Sequence, residues 1–116
     1  MARRPVDLLP GETVVAEIRN FQVKARRVDT INGDVTVTNR RIIVRRRSTL
    51  SSIGVSVDLP LDQVTSVSNE GMLSSRRVDV TVADRTYRFH PTALRGRKDD
   101  AAALVDAINR ARYAAA

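Results

Sequence analysis

The sequence contains no cysteine, and aromatic residues make up only 3% of its 116 residues. Without cysteine the chain can form neither disulfide bonds nor zinc–thiolate sites, and it has no thiol nucleophile. Exposed rings are the stacking platforms of single-stranded nucleic-acid binders, so their scarcity argues against that class. A single histidine, His90, excludes histidine clusters for metal ions. We therefore expect a protein that is not an enzyme and needs no cofactor.

Long apolar runs are also missing. No run approaches the roughly 20 residues that cross a bilayer, and the N-terminus lacks the apolar stretch of a signal peptide. We therefore expect a cytoplasmic protein, peripheral at the membrane if it meets one. The length suits one domain with a single core. Within residues 1–116 we expect a flexible N-terminus over 1–7, a β-barrel over 8–91 and a C-terminal helix over 97–113.

Basic residues outnumber acidic ones by 20 to 13, which gives a net charge of +7 and an isoelectric point near 11.2. Such an excess favours an anionic partner: acidic lipid, an acidic protein surface or nucleic acid. Only two of the basic residues, Lys24 and Lys98, are lysine, and alanine and valine are abundant too. A GC-rich genome is therefore an alternative source of the arginines, and both explanations stay open.

Residues 33–54 predict two strands joined by a tight turn and followed by a cluster of arginines. Val35 and Val37 alternate with threonines, which is the period-two pattern of a half-buried strand. Asn39 suits the turn, and the alternation resumes beyond it with arginines on the opposite face. The chain is therefore building a small β-domain with a basic edge.

The same alternation predicts five further strands. The first is long, and its apolar positions slip by one residue between Ile18 and Phe21, which predicts a bulge. Asn32-Gly33 predicts a reverse turn before the second strand. The remaining strands centre on residues 55–59, 64–67, 78–82 and 87–89.

The period changes near Asp99. Leu104, Ile108 and Ala111 are spaced for one face of a helix, and the acidic pair Asp99-Asp100 favours its start. Seven strands and one helix predict a mainly β (α+β) fold, a seven-stranded antiparallel sandwich or partly open barrel capped by the C-terminal helix.

Three motifs carry a family resemblance: GDVTVTNRRIIV at 33–44, VDLPLDQVTSV at 57–67 and VDVTVADRTYRF at 78–89. With the closing helix, they resemble the bacterial and archaeal pleckstrin-homology-like (PH-like) domains, close in layout to GRAM domains. The resemblance implies a binding module and places the connections after strands one, three and six at the end opposite the helix. Lys24 is similar to the lysine that lipid-reading members carry late in strand one. Strand two, expected at 34–38, has an acid and no base, so we expect no stereospecific inositol-phosphate recognition.

The resemblance implies a basic rim made by these connections. Leu50 and Ile53 would follow its arginines, and cations beside apolar tips suit an anionic membrane surface. An acidic protein or a homo-oligomeric assembly is the alternative, nucleic acid is the weaker one, and a solvated edge that prevents aggregation would need no partner. The rim cations are Arg26, Arg27, Arg45, Arg46, Arg47 and Arg85.

Overall fold

The computed structural model describes residues 8–25, 28–46, 57–71, 76–93 and 97–115, and they form one antiparallel sheet and one helix. The strand order is β4-β3-β2-β1-β7-β6-β5. The predicted mainly β fold, seven antiparallel strands capped by a C-terminal helix, is confirmed. The elements are β1 (Val14–Ala25), β2 (Val28–Thr38), β3 (Arg41–Arg46), β4 (Val57–Pro60), a 3₁₀ turn (Leu61–Gln63), β5 (Val64–Glu70), β6 (Arg77–Val82), β7 (Arg85–Pro91) and α1 (Arg97–Ala115).

The first strand joins the two sides of the sheet. Its pairing register with β2 shifts between Ile18 and Phe21, and Asn20 adopts a positive φ of 69° within the shift. The predicted bulge is confirmed. Beyond it, the second half of β1 pairs with β7 as well as with β2. A bulge bends a strand and increases its twist, so β1 pairs with β2 on both sides of the bulge and with β7 only after it.

The reverse turn predicted at Asn32-Gly33 is wrong, because both residues lie inside β2. Glycine is required there for a different reason. A Cβ built on Gly33 would lie 1.8 Å from the backbone oxygen of Arg45 on β3, so the two strands approach too closely for any side chain. The reversal predicted at Asn39 is correct, since β2 ends at Thr38 and β3 begins at Arg41.

Side chains of alternate strand residues meet α1 in one core. Phe21 and Phe89 pack edge to face with centroids 6.4 Å apart, and Leu104, Ile108 and Ala111 are fully buried, as the helical spacing predicts. Each large apolar side chain contributes about 1.5–3 kcal/mol through burial. The helix therefore closes one face of the sheet. The opposite face is covered in part, because Asp34, Thr36 and Ile43 are buried as well.

A buried ion pair fastens the segment before β1 to the sheet. The Glu12 carboxylate accepts hydrogen bonds from Arg41 Nε at 2.8 Å and Nη2 at 3.0 Å, from the Thr38 hydroxyl at 2.6 Å and from Leu9 N–H at 2.8 Å. Arg41 also donates to Asp58 at 3.1 Å. The two-pronged guanidinium contact is the main reason that the pKa of Glu12 falls to about 2, with burial opposing it.

We expect Gly33→Ala to lower the free energy of unfolding by about 3 kcal/mol, since the added methyl group collides with the backbone of β3. Urea denaturation measures the change. Asn32→Ala is the control, because Asn32 is exposed in the strand and its replacement should cost less than about 0.5 kcal/mol. Equal losses of stability in the two variants would contradict the close approach of Gly33 to β3. They would indicate instead that Asn32 and Gly33 form the reverse turn.

We expect Glu12→Gln to destabilise the protein at neutral pH by about 3 kcal/mol, because Arg41 loses a buried charged partner. Folding lowers the pKa of Glu12, so its stabilisation is present above the unfolded value near 4.5 and disappears as the pH falls towards 2. The difference between wild type and variant should shrink across that range in urea titrations.

Asp106→Asn is the control for Glu12→Gln, because its pair with Arg110 is at least 60% exposed on both sides. An exposed pair of this kind contributes less than about 1 kcal/mol. If the difference in free energy of unfolding between wild type and Glu12→Gln does not change with pH, the ionised Glu12 carboxylate is not the source of the stabilisation.

Candidate anion-binding site

The outer face of β1 and β7 carries a set of basic side chains. Strand alternation directs Val23 and Phe89 into the core, so their neighbours in sequence point outward: Gln22 and Lys24 on β1, and Arg88 and His90 on β7. The β1–β7 register then sets Lys24 directly opposite Arg88 and Gln22 opposite His90. Cross-strand partners on one face lie about 5 Å apart at Cβ, so these groups are close neighbours.

An open groove of about 800 Å³ lies where β1 ends and β7 begins. The two-residue connection between β6 and β7 forms one wall. Its first residue, Ala83, adopts a positive φ of 55° and donates its N–H to the Gln63 carbonyl at 2.9 Å, which fixes the turn against the 3₁₀ segment. The described residues that line the groove are Lys24, Ala25, Asp84, Arg85, Thr86, Arg88 and His90.

Two of the three cations in the groove, Lys24 and Arg88, are not paired with a carboxylate among the described residues. On the β6 side of β7, Arg88 lies opposite Asp79, but the Asp79 carboxylate already accepts a hydrogen bond from Arg77 Nε at 3.0 Å. Within the described part of the chain, neither Lys24 nor Arg88 forms an ion pair. Like charges directly opposite each other destabilise a sheet, so this pair is a local cost that the fold retains.

The half-buried His90 reports the resulting positive potential. Burial is the largest cause of its lowered pKa, and the positive charges of Lys24, Arg77 and Arg88 lower it further, against the opposing effect of Asp79. The imidazolium form is therefore disfavoured, and an anion in the groove would reverse part of that effect.

The structure describes three of the predicted rim residues, and they lie in two different places. Arg85 lies in the groove, whereas Arg45 and Arg46 lie on β3 opposite Asp34 and Gly33. Neither of these two arginines is among the described residues that line the groove. The others lie outside the described residues: Arg26, Arg27, Arg47, Leu50 and Ile53.

Strand direction nevertheless relates these connections. β1, β3 and β6 run the same way, because one antiparallel strand separates β1 from each of the others. The last residues of these strands, Ala25, Arg46 and Val82, therefore lie at the same end of the sheet. Arg26 comes directly after Ala25, which lines the groove.

Sequence analysis missed Arg88, Thr86 and His90 as members of one surface. A signal existed, because the three alternate with Tyr87 and Phe89, the anchors of the predicted seventh strand, and so lie on the other face if the strand extends to Thr86. The alternation within β7, however, does not predict which strand pairs with β7 or in which register. The contact of Arg88 with Lys24 depends on that register.

The described residues contain no cluster of three or more side chains that could hold a metal ion. None of the helices in the described ranges has the length and hydropathy to span a membrane.

By sequence, the chain matches no family model and no curated protein. By structure, it is similar to the Vps36 N-terminal PH domain, with a TM-score of 0.71 and 19% identity over 92% of this chain and 83% of that one. It is also similar to the C-terminal domain of an unknown protein from Leishmania infantum, with a TM-score of 0.55 and 16% identity over 86% and 87%. These likenesses show a PH-like fold.

We expect Lys24→Gln to raise the pKa of His90, because it removes a positive charge that opposes imidazolium formation. The chain has one histidine, so its ring proton signals in a pH titration by nuclear magnetic resonance (NMR) need no assignment. Arg19→Gln is the matched control: it removes an exposed cation from the same strand that is not among the charges acting on His90. A His90 pKa that moves equally in both variants, or in neither, would contradict this geometry.

Proposed function

From the PH-like fold we propose that this chain is a non-catalytic binding module, which attaches to anionic lipid surfaces through the basic connections after β1, β3 and β6. The observation that carries the proposal is the excess of positive charge where β1 ends and β7 begins. Lys24, Arg85 and Arg88 lie together there, next to the point where Arg26 and Arg27 follow β1. Fold alone does not select a ligand, so the argument depends on this charge.

Energetics favour several cations acting together. A basic side chain near an acidic membrane contributes about 1 kcal/mol, so a few of them give useful affinity while a single one does not. Arg46 ends β3 as an exposed side chain, and Arg47 follows it in the sequence. Leu50 and Ile53, in the same connection, would add apolar contacts below the headgroups.

The proposed attachment is nonspecific for lipid stereochemistry. β2 begins earlier than the sequence predicts, at Val28, yet its 11 residues still include no lysine or arginine. The lysine late in β1 therefore has no basic partner on β2. The density of negative charge on the membrane, rather than the structure of one lipid headgroup, then determines which membranes the protein binds.

Co-sedimentation with phosphatidylcholine vesicles, with and without phosphatidylserine, tests this function. We expect binding only to the acidic vesicles, with a steep loss of affinity as salt rises. Equal binding to both kinds of vesicle, or no binding to either, would refute the proposal. Binding to an acidic protein without any binding to vesicles would assign the surface to a protein partner.

The double variant Arg46→Gln, Arg47→Gln should bind acidic vesicles about 30-fold more weakly, since two cations at about 1 kcal/mol each are lost. The double variant Arg19→Gln, Arg110→Gln is the control, because it removes the same charge from two exposed positions outside these connections. Equal losses in the two variants would show that net charge alone, rather than this surface, drives attachment.

Exposed apolar residues support a second candidate, assembly with copies of the chain or with another protein. Leu8, Leu9 and Val14 are each more than 40% exposed, and β5 forms one edge of the sheet. Light scattering over a range of concentrations separates the two functions. A mass that stays at one chain excludes the homo-oligomer.

A further inference from the structure

We propose that the exposed face of α1 is a self-complementary surface through which two copies of this chain pair, with their helices antiparallel. This face turns away from the sheet, so it shares no residue with the cations of the proposed attachment or with the exposed apolar residues near the start of β1. Pairing of this kind goes beyond the proposed attachment, and either one can fail while the other stands.

Helix α1 has a buried side and an exposed side. Its buried side chains, which include Leu104, Ile108 and Ala111, pack in the core beneath it. Successive helix residues are about 100° apart, so the exposed positions fall on the opposite side, within roughly one third of the circumference. A second molecule can therefore contact all of them at once. The described exposed positions are Asp99, Ala102, Ala103, Asp106, Arg110, Tyr113 and Ala114.

Tyr113 is the side chain of this face that the fold of a single chain does not use. It is 82% exposed, the most exposed of the large hydrophobic side chains in the described ranges. Tyrosine favours a helix less than alanine or arginine does, so helix formation does not account for it. Tyrosine and arginine are enriched in protein interfaces, where a rigid ring buries a large area at a low entropy cost. Tyr113 and Arg110 on one face therefore suit a protein contact.

The charges on the face identify the partner as a second copy. Asp106 and Arg110 form an exposed ion pair one helical turn apart, at 2.9 Å. In two antiparallel helices related by a two-fold axis at the level of Ile108, Asp106 lies two residues before the axis and Arg110 two residues after it. Each Asp106 then faces Arg110 of the other copy, and the two ion pairs join into one network. A parallel pair would instead set like charges against each other, which is unfavourable.

The same axis makes the face complementary in size. Ala103 lies five residues before the axis and Tyr113 five residues after it, so the ring of each copy covers the alanine of the other. Ala102 and Ala114 are related in the same way, six residues from the axis. A large side chain opposite a small one lets two helices pack densely.

Sedimentation velocity over a wide range of concentrations tests the pairing in the wild-type protein. Stable complexes bury roughly 1,200 to 2,000 Å², and one helix face per chain is a small interface by that standard, so we expect a weak dimer. The mass should be one chain at low micromolar concentration and approach two chains towards millimolar concentration. A mass that stays at one chain, or that grows beyond two, would overturn the proposal.

Tyr113→Ala should weaken the dimer by at least about tenfold, because the ring no longer covers the alanines of the other copy. Leu9→Ala is the matched control: it also removes an exposed apolar side chain, but from another part of the surface, and should keep the wild-type affinity. Urea denaturation checks that both variants fold. If the two variants dimerise equally well, the interface does not include this face.

Charge variants test the ion-pair network. Asp106→Arg gives a face with two arginines and Arg110→Asp a face with two aspartates, so each variant alone should dimerise at least about tenfold more weakly than wild type. An equal mixture of the two should dimerise again, because every arginine then faces an aspartate. Asp62→Arg makes the same change in net charge as Asp106→Arg at an exposed position outside α1, and it should behave like wild type. A mixture that associates no better than its components would contradict the pairing of these faces.

Single cysteines test the orientation, since the chain has none of its own. In the antiparallel dimer, position 102 faces position 114 of the other copy, whereas the two copies of position 102 lie about 18 Å apart along the helices. Disulfides require Cα atoms within about 7 Å of each other. A mixture of Ala102→Cys and Ala114→Cys should therefore form mainly the mixed disulfide on mild oxidation. A preference for disulfides between identical variants would overturn the antiparallel arrangement.

Vesicle binding separates this surface from the proposed attachment. At concentrations where the protein is a single chain, Tyr113→Ala should bind acidic vesicles as wild type does, because the cations of the attachment lie elsewhere. A wild type that dimerises but does not bind vesicles would refute only the attachment. Vesicle binding by a protein that stays a single chain at every concentration would refute only the dimer.

Discussion

The pairing of the second half of β1 with β7 is the constraint on which both the core and the candidate site depend. This pairing begins after the bulge between Ile18 and Phe21, where β1 has β2 as one neighbour and β7 as the other. On the inner face the pairing brings Phe21 against Phe89 beneath α1. On the outer face the same register brings Lys24 against Arg88. Core packing thus fixes the position of two cations that their mutual repulsion would separate.

The two charged centres of the fold differ in how their charges are compensated. Glu12 and Arg41 form a bidentate buried pair with further donors, and the low pKa of Glu12 reflects a satisfied carboxylate. Lys24 and Arg88 face each other with no equivalent anion among the described residues. A centre of the first kind stabilises the chain by itself, whereas one of the second kind gains stability when an anion arrives from outside.

Sequence patterns predicted what depends on local periodicity. They predicted the strands, the bulge, the reversal at Asn39 and the buried stripe of α1, because each follows from residues near one another in sequence. They failed at Gly33, where the need for glycine comes from the backbone of a neighbouring strand. They also missed Arg88, because its role depends on a pairing between β1 and β7, some 60 residues apart, that no local pattern encodes.

The free energy of unfolding of Lys24→Glu tests the central claim most directly, because the variant places a negative charge directly opposite Arg88. The account predicts a protein that is more stable than wild type at low salt, by up to about 1 kcal/mol, with a gain that shrinks as salt rises. A loss of stability, or no change at low salt, would contradict it, because Lys24 and Arg88 would then not face each other as an uncompensated pair.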